Sequence, residues 1–357
     1  MTKIYLIRHA EAEGNIFRRA HGHYNGLITK NGDLQIEKLR KRFEGVDINA
    51  VFSSDLSRTC TTVMAFSEPR NLQIHTSPML REVNVGIWED ISWGDVEYQY
   101  LDMYNNFTYD PDKWDIEGGE EYEAIKNRMY DIICEKAELH AGETIAMFSH
   151  GFVIRALISK LNNIPSHRTR EVPYCDNTAV ALLNYENGKL EIEYHGDNSH
   201  LTDDVSTLAK QTWWRKGDGA KHSSNNLRFV PFDEVADDEL MRKLHAESGE
   251  QTQFDVKYVA FRVNDPVGIV ELDTKQDESE NVGWLRRLYV TLSGRNATYG
   301  TQLLGAAISE FRKLRREKMR VEVPVNSPGI NLLNKHGFYT LDVNDEVCLM
   351  EKDIKNW

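Results

Sequence analysis

The chain opens MTKIYLIRHAEAEGN (residues 1–15), and the reading of this stretch decides the fold of the first half. Ile4 to Ile7 make an apolar run of strand length that stops abruptly at Arg8-His9. The pattern returns twice: Ala50 to Phe52 ends in Ser53-Ser54-Asp55, and Thr144 to Phe148 ends in Ser149-His150-Gly151. Each run is followed by a segment of helical character: about 32–43 with Leu34, Leu39 and Phe43 at roughly helical spacing, Ser57 onward, and FVIRALISKL after Gly151. Short apolar strands alternating with helices predict a mostly parallel sheet covered on both faces, a three-layer αβα domain. Functional groups in such sheets gather beyond the carboxyl ends of the strands. Arg8, His9, Ser54, Arg58 and His150 all fall there.

The full length of 357 residues exceeds what one ordinary core organises, so two domains are expected. Apolar periodicity lapses over 202–225, which reads as a linker between a domain at 1–201 and another at 226–357, with Trp213-Trp214 packed on a neighbour. Strand-like runs follow at 257–263, 266–273 and 282–291, then a helix at 300–317, a strand at 319–325 and a closing pair at 338–351, a mixed α/β pattern. A net charge of −13 argues against a general nucleic-acid or anionic-membrane binder. No apolar run is long enough to span a bilayer, and the start is charged too early for a signal peptide. Cys60, Cys134, Cys175 and Cys348 stand far apart without CxxC spacing, so they read as small buried residues in a reducing compartment, the cytoplasm. No metal site is expected.

Phosphoryl transfer needs a nucleophile in line, cations around the equatorial oxygens and an acid for the leaving group. A histidine needs one neutral ring nitrogen to attack, and arginine donates a planar pair of hydrogen bonds to phosphate. LIRHAEAEGN, SSDLSRTCTTV, LREVNVGIWED and FSHGFVIRAL occur in that order, and together they resemble the histidine phosphatase (phosphoglycerate-mutase-like) family over residues 1–201. The resemblance implies that His9 carries the phosphoryl group, that Arg8, Arg58 and His150 cradle it, and that Glu82 donates the proton. It implies a substrate-side role for Asn15. Ala10 stands where family members usually have glycine.

A mutase must hold a second anion, so its lid should be basic. The expected lid, 93–123, contains ten carboxylates, among them Asp102, Asp110, Glu117 and Glu120, against Lys113 alone. Such a segment repels polyanions, so hydrolysis of a small phosphomonoester is favoured over phosphoglycerate-mutase-type transfer. The same stretch holds Trp93, Tyr98, Tyr100, Tyr104, Phe107, Tyr109 and Trp114. These read first as the core of a small helical subdomain, and second as a pocket for a cationic leaving group.

From Val282 the chain reads VGWLRRLYVTLSGRNATYGTQLLGAAISEF, a strand turning into a long helix, the geometry that offers free N–H groups to a pyrophosphate. With NSPGINLLNKHGF at 326–338 it resembles the GNAT family of acyl-CoA-dependent N-acetyltransferases over roughly 225–353. The resemblance implies acetyl-CoA as cofactor. The backbone around Leu288 to Val290 would pair with the pantetheine arm, the Arg295–Thr301 turn with Thr298 and Gly300 would wrap the pyrophosphate, and Asn326 would contact the coenzyme. Thr298 replaces the family's middle glycine, and Leu333 stands where the family often has a proton-donating tyrosine; Tyr289 or Tyr299 are alternative acids. Glu271 reads as an exposed strand glutamate or as a base, and FRKLRREKMR as the solvated face of a helix.

The leading expectation is a phosphatase fused to an N-acetyltransferase with an amine acceptor. In the second, the C-terminal domain is an acetyl-CoA sensor that regulates the phosphatase. In a third, a protein phosphatase carries a docking module.

Overall fold

The computed structural model describes residues 1–211, 225–235, 244, 246, 254, 256–295 and 297–356. Trp213-Trp214 and most of the expected linker lie outside them. The chain divides into two units, and the division is not a single cut. The first unit comprises residues 1–12, 21–89 and 100 onward through the described residues to 211; the second comprises 13–20, 90–99 and the described residues from 225.

In the first unit, β1 (Thr2–Arg8), β2 (Ala50–Ser53), β3 (Ile74–Thr76) and β4 (Thr144–Ser149) run parallel, while β5 (Val180–Glu186) and β6 (Lys189–Asp197) add an antiparallel edge. The order is β3-β2-β4-β1-β5-β6, so the expected mostly parallel sheet is present. Successive residues of a strand face opposite sides. Ile7, Val51, Ala146 and Phe148 therefore share one face, with Leu39 of helix 30–42 and Val63 and Phe66 of helix 57–67 packed on it. Helices 122–139 and 151–161 pack on each other and on β1. Thr29 starts helix 30–42 because its hydroxyl accepts the Gly32 N–H at 3.0 Å. Val205, Ser206 and Thr207 are buried; Ser206 Oγ donates to Asp176 at 2.5 Å and Thr207 Oγ1 to Glu11 at 2.8 Å.

The second unit has seven strands in its described residues, ordered β12-β13-β11-β10-β9-β8-β7. They are β7 (Arg228–Pro231), β8 (Val256–Arg262), β9 (Asp265–Asp273), β10 (Val282–Val290), β11 (Lys318–Pro324), β12 (Tyr339–Val343) and β13 (Val347–Asp353). Only β10 and β11 pair in parallel. The helix Tyr299–Lys313 packs on β9 and β10 and also on the short helix Glu13–Phe17. Gly305 permits that approach, because a Cβ there would lie 2.5 Å from Phe17. Arg312 pairs with Glu13 at 2.8 Å, both deeply buried, and Ser309 donates to Asp90 at 2.5 Å.

FRKLRREKMR is not the solvated helix face that the sequence suggests. Arg312 and Arg316 are buried, Arg316 pairs with Glu278 at 2.7 Å, and Arg320 pairs with Glu351 at 2.7 Å. Guanidinium groups can enter the interior when a carboxylate and carbonyls meet their fork. No helix among the described residues is long and apolar enough to cross a membrane.

Candidate active site

Strand register builds the first constellation. Arg8 pairs with Ser149 and Ser53 with Phe148, so the next residues, His9, His150 and Ser54, emerge side by side at one edge of the sheet. The rings of His9 and His150 are 5.1 Å apart. His9 is buried, and its Nδ1 lies 2.7 Å from the Ala10 carbonyl. A carbonyl only accepts, so Nδ1 carries the proton and Nε2 keeps its lone pair. Burial, then the neighbouring Arg58 and Arg8 charges, holds the His9 pKa well below the usual histidine range.

His150 is fully buried and held neutral by the same causes, burial first and Arg58 next. Its Nε2 lies 2.8 Å from Ser54 Oγ and 3.1 Å from Thr59 Oγ1, while its Nδ1 has no protein partner. Arg58 donates to the carbonyls of Tyr24 and Gly22 at 3.0 and 2.8 Å; burial lowers its pKa to about 10, so it stays cationic at neutral pH. Arg8 donates to the Cys175 carbonyl at 2.6 Å, and its buried Nε is unpartnered. An unpaired buried imidazole nitrogen and an unpaired buried guanidinium nitrogen beside a lone pair suit an anion with several oxygens. Glu82 sits at the start of helix 151–161, accepting the Phe152 and Val153 N–H groups at 3.2 Å each. Arg8, His9, Arg58, Glu82 and His150 thus belong to one cluster. Asn15 stands on the helix Glu13–Phe17, a segment of the second unit, and is half-buried.

The sequence reading did not single out Thr59, Asn177, Thr178 or Glu89 as supports. Asn177 Nδ2 and the Thr178 N–H donate to the His9 carbonyl at 3.0 and 3.3 Å. Glu89 accepts the His23 and Tyr24 N–H groups at 2.7 and 2.8 Å, fixing the loop whose carbonyls receive Arg58. Local signals existed for two of them, Thr59 within SSDLSRTCTTV and Glu89 within LREVNVGIWED.

The expected lid is shared between the units: its residues 93–99 group with the second, 100–123 with the first. Three of its aromatic residues in the first unit, Tyr100, Phe107 and Trp114, pack around Trp88, whereas Tyr109 is exposed. Trp114 packs on Phe107 at 5.0 Å and on Trp88 at 6.0 Å, and Phe107 stacks on Phe152 at 4.7 Å. That packing corresponds to the helical-subdomain reading for Phe107 and Trp114, while the exposed Tyr109 carries the Arg170 guanidinium over its face at 4.5 Å. Lys113 pairs with Asp110 at 2.8 Å.

In the second unit, β10 pairs with β11 only from Val282 to Leu285, although both strands run on. Leu288 and Val290 bond to β9 on one side, and the β11 side of this backbone lacks a strand partner among the described residues. A splayed edge of this kind can receive an extended amide-bearing arm. Arg295 is exposed, and Thr298 caps the following helix with φ +66°, the left-handed conformation a glycine adopts without cost. Gly300 and Thr301 lie in its first turn, and Thr301 Oγ1 is 2.9 Å from His336 Nε2. Asn326 is exposed in the turn after β11. Leu333 is buried in the hydrophobic core, so its position does not present a side chain to solvent. Tyr299 is buried, and burial raises its hydroxyl pKa. Glu271 is fully buried and paired with Arg287 at 3.2 Å, so it is not an exposed strand glutamate.

Residues 4–198 match the histidine phosphatase superfamily (branch 1), and residues 223–338 match the acetyltransferase (GNAT) family. Over 208 residues, 57% of this chain and 96% of the relative, the sequence is 28% identical to a Proteus mirabilis protein named probable phosphoglycerate mutase GpmB. It is 25% identical over 186 residues, 52% of this chain and 88% of the relative, to phosphoserine phosphatase 1 of Hydrogenobacter thermophilus. Among solved structures, Bacillus stearothermophilus YhfR aligns with a TM-score of 0.55 and 26% identity, covering 56% of this chain and 99% of its own. The chain belongs to the histidine phosphatase superfamily and carries a GNAT acetyltransferase domain fused behind it.

Proposed function

We propose that the first unit hydrolyses small phosphomonoesters through a phosphohistidine at His9. The observation that carries this is the state of His9: buried, neutral, and tied through Nδ1 to the Ala10 carbonyl, with Nε2 free to attack. The phosphorus–nitrogen bond forms as the ester phosphorus–oxygen bond breaks, and the leaving alkoxide takes the Glu82 proton. Water then attacks the phosphohistidine, Glu82 recovers a proton from it, and orthophosphate leaves with Nε2 restored. Arg8, Arg58 and the Nδ1 of His150 hold the equatorial oxygens throughout. Hydrolysis is favoured over mutase transfer because 93–123 carries ten carboxylates against Lys113, its single cation, a balance that repels a second anion. In the intact chain, a phosphoenzyme trapped at low temperature should be acid-labile and base-stable, and His9→Ala should abolish it. Wild-type hydrolysis by that variant refutes the mechanism.

For the second unit the splayed β10 edge and the Arg295–Thr301 turn support acyl-CoA binding, with Leu288, Val290, Arg295, Thr298, Gly300, Thr301 and Asn326 as the holding residues. The coenzyme supplies an activated acyl group; an amine would be the acceptor. The burial of Leu333 favours the second reading, a coenzyme-binding sensor that regulates the phosphatase, because no tyrosine hydroxyl stands at that position. Free CoA released from acetyl-CoA with an amine supports transfer. Binding without release, accompanied by altered phosphatase kinetics, supports the sensor.

A further inference from the structure

Glu82 lies on a stretch, residues 81–84, that belongs to no helix or strand. A proton donor must be held to within a few tenths of an ångström, so something else must fix its main chain. The carboxylate end is fixed by the Phe152 and Val153 N–H groups. The main-chain end meets Arg128, in helix 122–139, which is far away in sequence. Its guanidinium donates to the carbonyls of Met79 at 2.8 Å, Arg81 at 2.9 Å and Glu82 at 3.2 Å. Two further bonds run to Glu120 at 2.5 and 2.9 Å, and Glu120 is itself tied by its N–H to the Asn84 carbonyl at 3.0 Å. His23 Nε2 also lies 3.0 Å from the Glu82 carbonyl.

We propose that Arg128 is a positioning residue for catalysis: its clamp on the Met79, Arg81 and Glu82 carbonyls, braced by Glu120, sets where Glu82 delivers its proton. Only arginine suits the place. Its planar fork directs donors to a carboxylate and to a row of carbonyls at once, whereas the lysine ammonium offers three donors from one point. Were Arg128–Glu120 simply a partly exposed ion pair, its loss would cost little stability and would leave the chemistry alone. The clamp predicts something different. Freed of it, residues 81–84 drift, and the damage appears where protonation of the leaving group limits the rate.

The proposal rests on Glu82 being the leaving-group acid, and the experiment separates the two claims. The intact chain is assayed for kcat/KM on a primary alkyl phosphate, which needs the proton, and on p-nitrophenyl phosphate, which does not. Glu82→Gln should lower the alkyl-to-aryl ratio by about 100-fold or more. Arg128→Met should lower it by about 10-fold through kcat, with KM little changed, and Arg128→Lys, which keeps the charge and is the safer variant for folding, should fall between. Adding Arg128→Lys to Glu82→Gln should leave the ratio where Glu82→Gln puts it, because the two act through one proton. If Glu82→Gln lowers the ratio and Arg128→Lys leaves it at the wild-type value, the positioning role is overturned while the acid survives. Equal losses on both substrates in the Arg128 variants overturn it likewise. An unchanged ratio in Glu82→Gln overturns the acid assignment and the clamp together.

Discussion

Replacing Gly151 by alanine sets a methyl 3.0 Å from Arg8 Nε and 3.2 Å from its Cζ. Carbon in ordinary contact sits about 3.5–4.0 Å away, so Arg8 must retreat by about 0.5 Å. It has little room to do so, being anchored to the Cys175 carbonyl at 2.6 Å. The backbone does not object: Gly151 opens helix 151–161 without a positive φ, and alanine there gains about 0.5–1 kcal/mol in helix propensity. Set against an overpacking cost of about 1–3 kcal/mol, the net loss of stability is small, about 0–2.5 kcal/mol. Activity should suffer more. A misplacement of 1 Å costs about 100-fold, so half of that at a phosphate-binding arginine should cost about 10-fold. The assay is kcat/KM on p-nitrophenyl phosphate together with the inhibition constant of orthophosphate, with thermal unfolding run alongside. Weaker phosphate inhibition is expected, with Tm lowered by about 0–10 °C. Wild-type inhibition by phosphate would refute the assignment of Arg8 to the cradle.

Two further outcomes follow from local geometry and charge. Thr298→Gly removes a β-branched residue from φ +66°, a relief of about 1–2 kcal/mol offset by about 0.5–1 kcal/mol of added chain entropy, so Tm should rise slightly and acetyl-CoA binding should tighten; a lower Tm contradicts the strain. His9 and His150 have folded pKa values well below 6.5, so the native state refuses protons that the unfolded chain accepts. Their contribution to stability is therefore full above pH 6.5 and lost progressively as pH falls below it. Once corrected for substrate ionisation, the acid limb of kcat/KM should lie below pH 6.5, and an inflection at 6.5 would count against a buried neutral nucleophile.

Much of the first unit was legible because its signals are local. An apolar run ending in Arg8-His9, repeated at Ser53-Ser54 and Ser149-His150, determines both the strands and the edge at which their polar ends emerge. The turn into the helix at Tyr299 was readable for the same reason, one strand handing over to one helix. Tertiary structure alone decided which polar groups meet. Only register sets Arg8 against Ser149 and so brings the His9 ring to His150; only packing turns Ser54 and Thr59 onto one imidazole nitrogen, or brings Arg128 to the Glu82 loop. Burial of charge was equally hidden. Arg312, Arg316 and Glu271 look like surface residues in sequence, because what admits them to the interior is a partner: Glu13 and Glu278 distant in the chain, and Arg287 on the adjacent strand. Residues 13–20 and 90–99 likewise group with the second unit through contacts distant in the chain, among them Phe17 with Gly305 and Asp90 with Ser309. Hydrophobic periodicity reports which face of an element is buried, but the element that covers it is chosen by shape and charge across the whole chain.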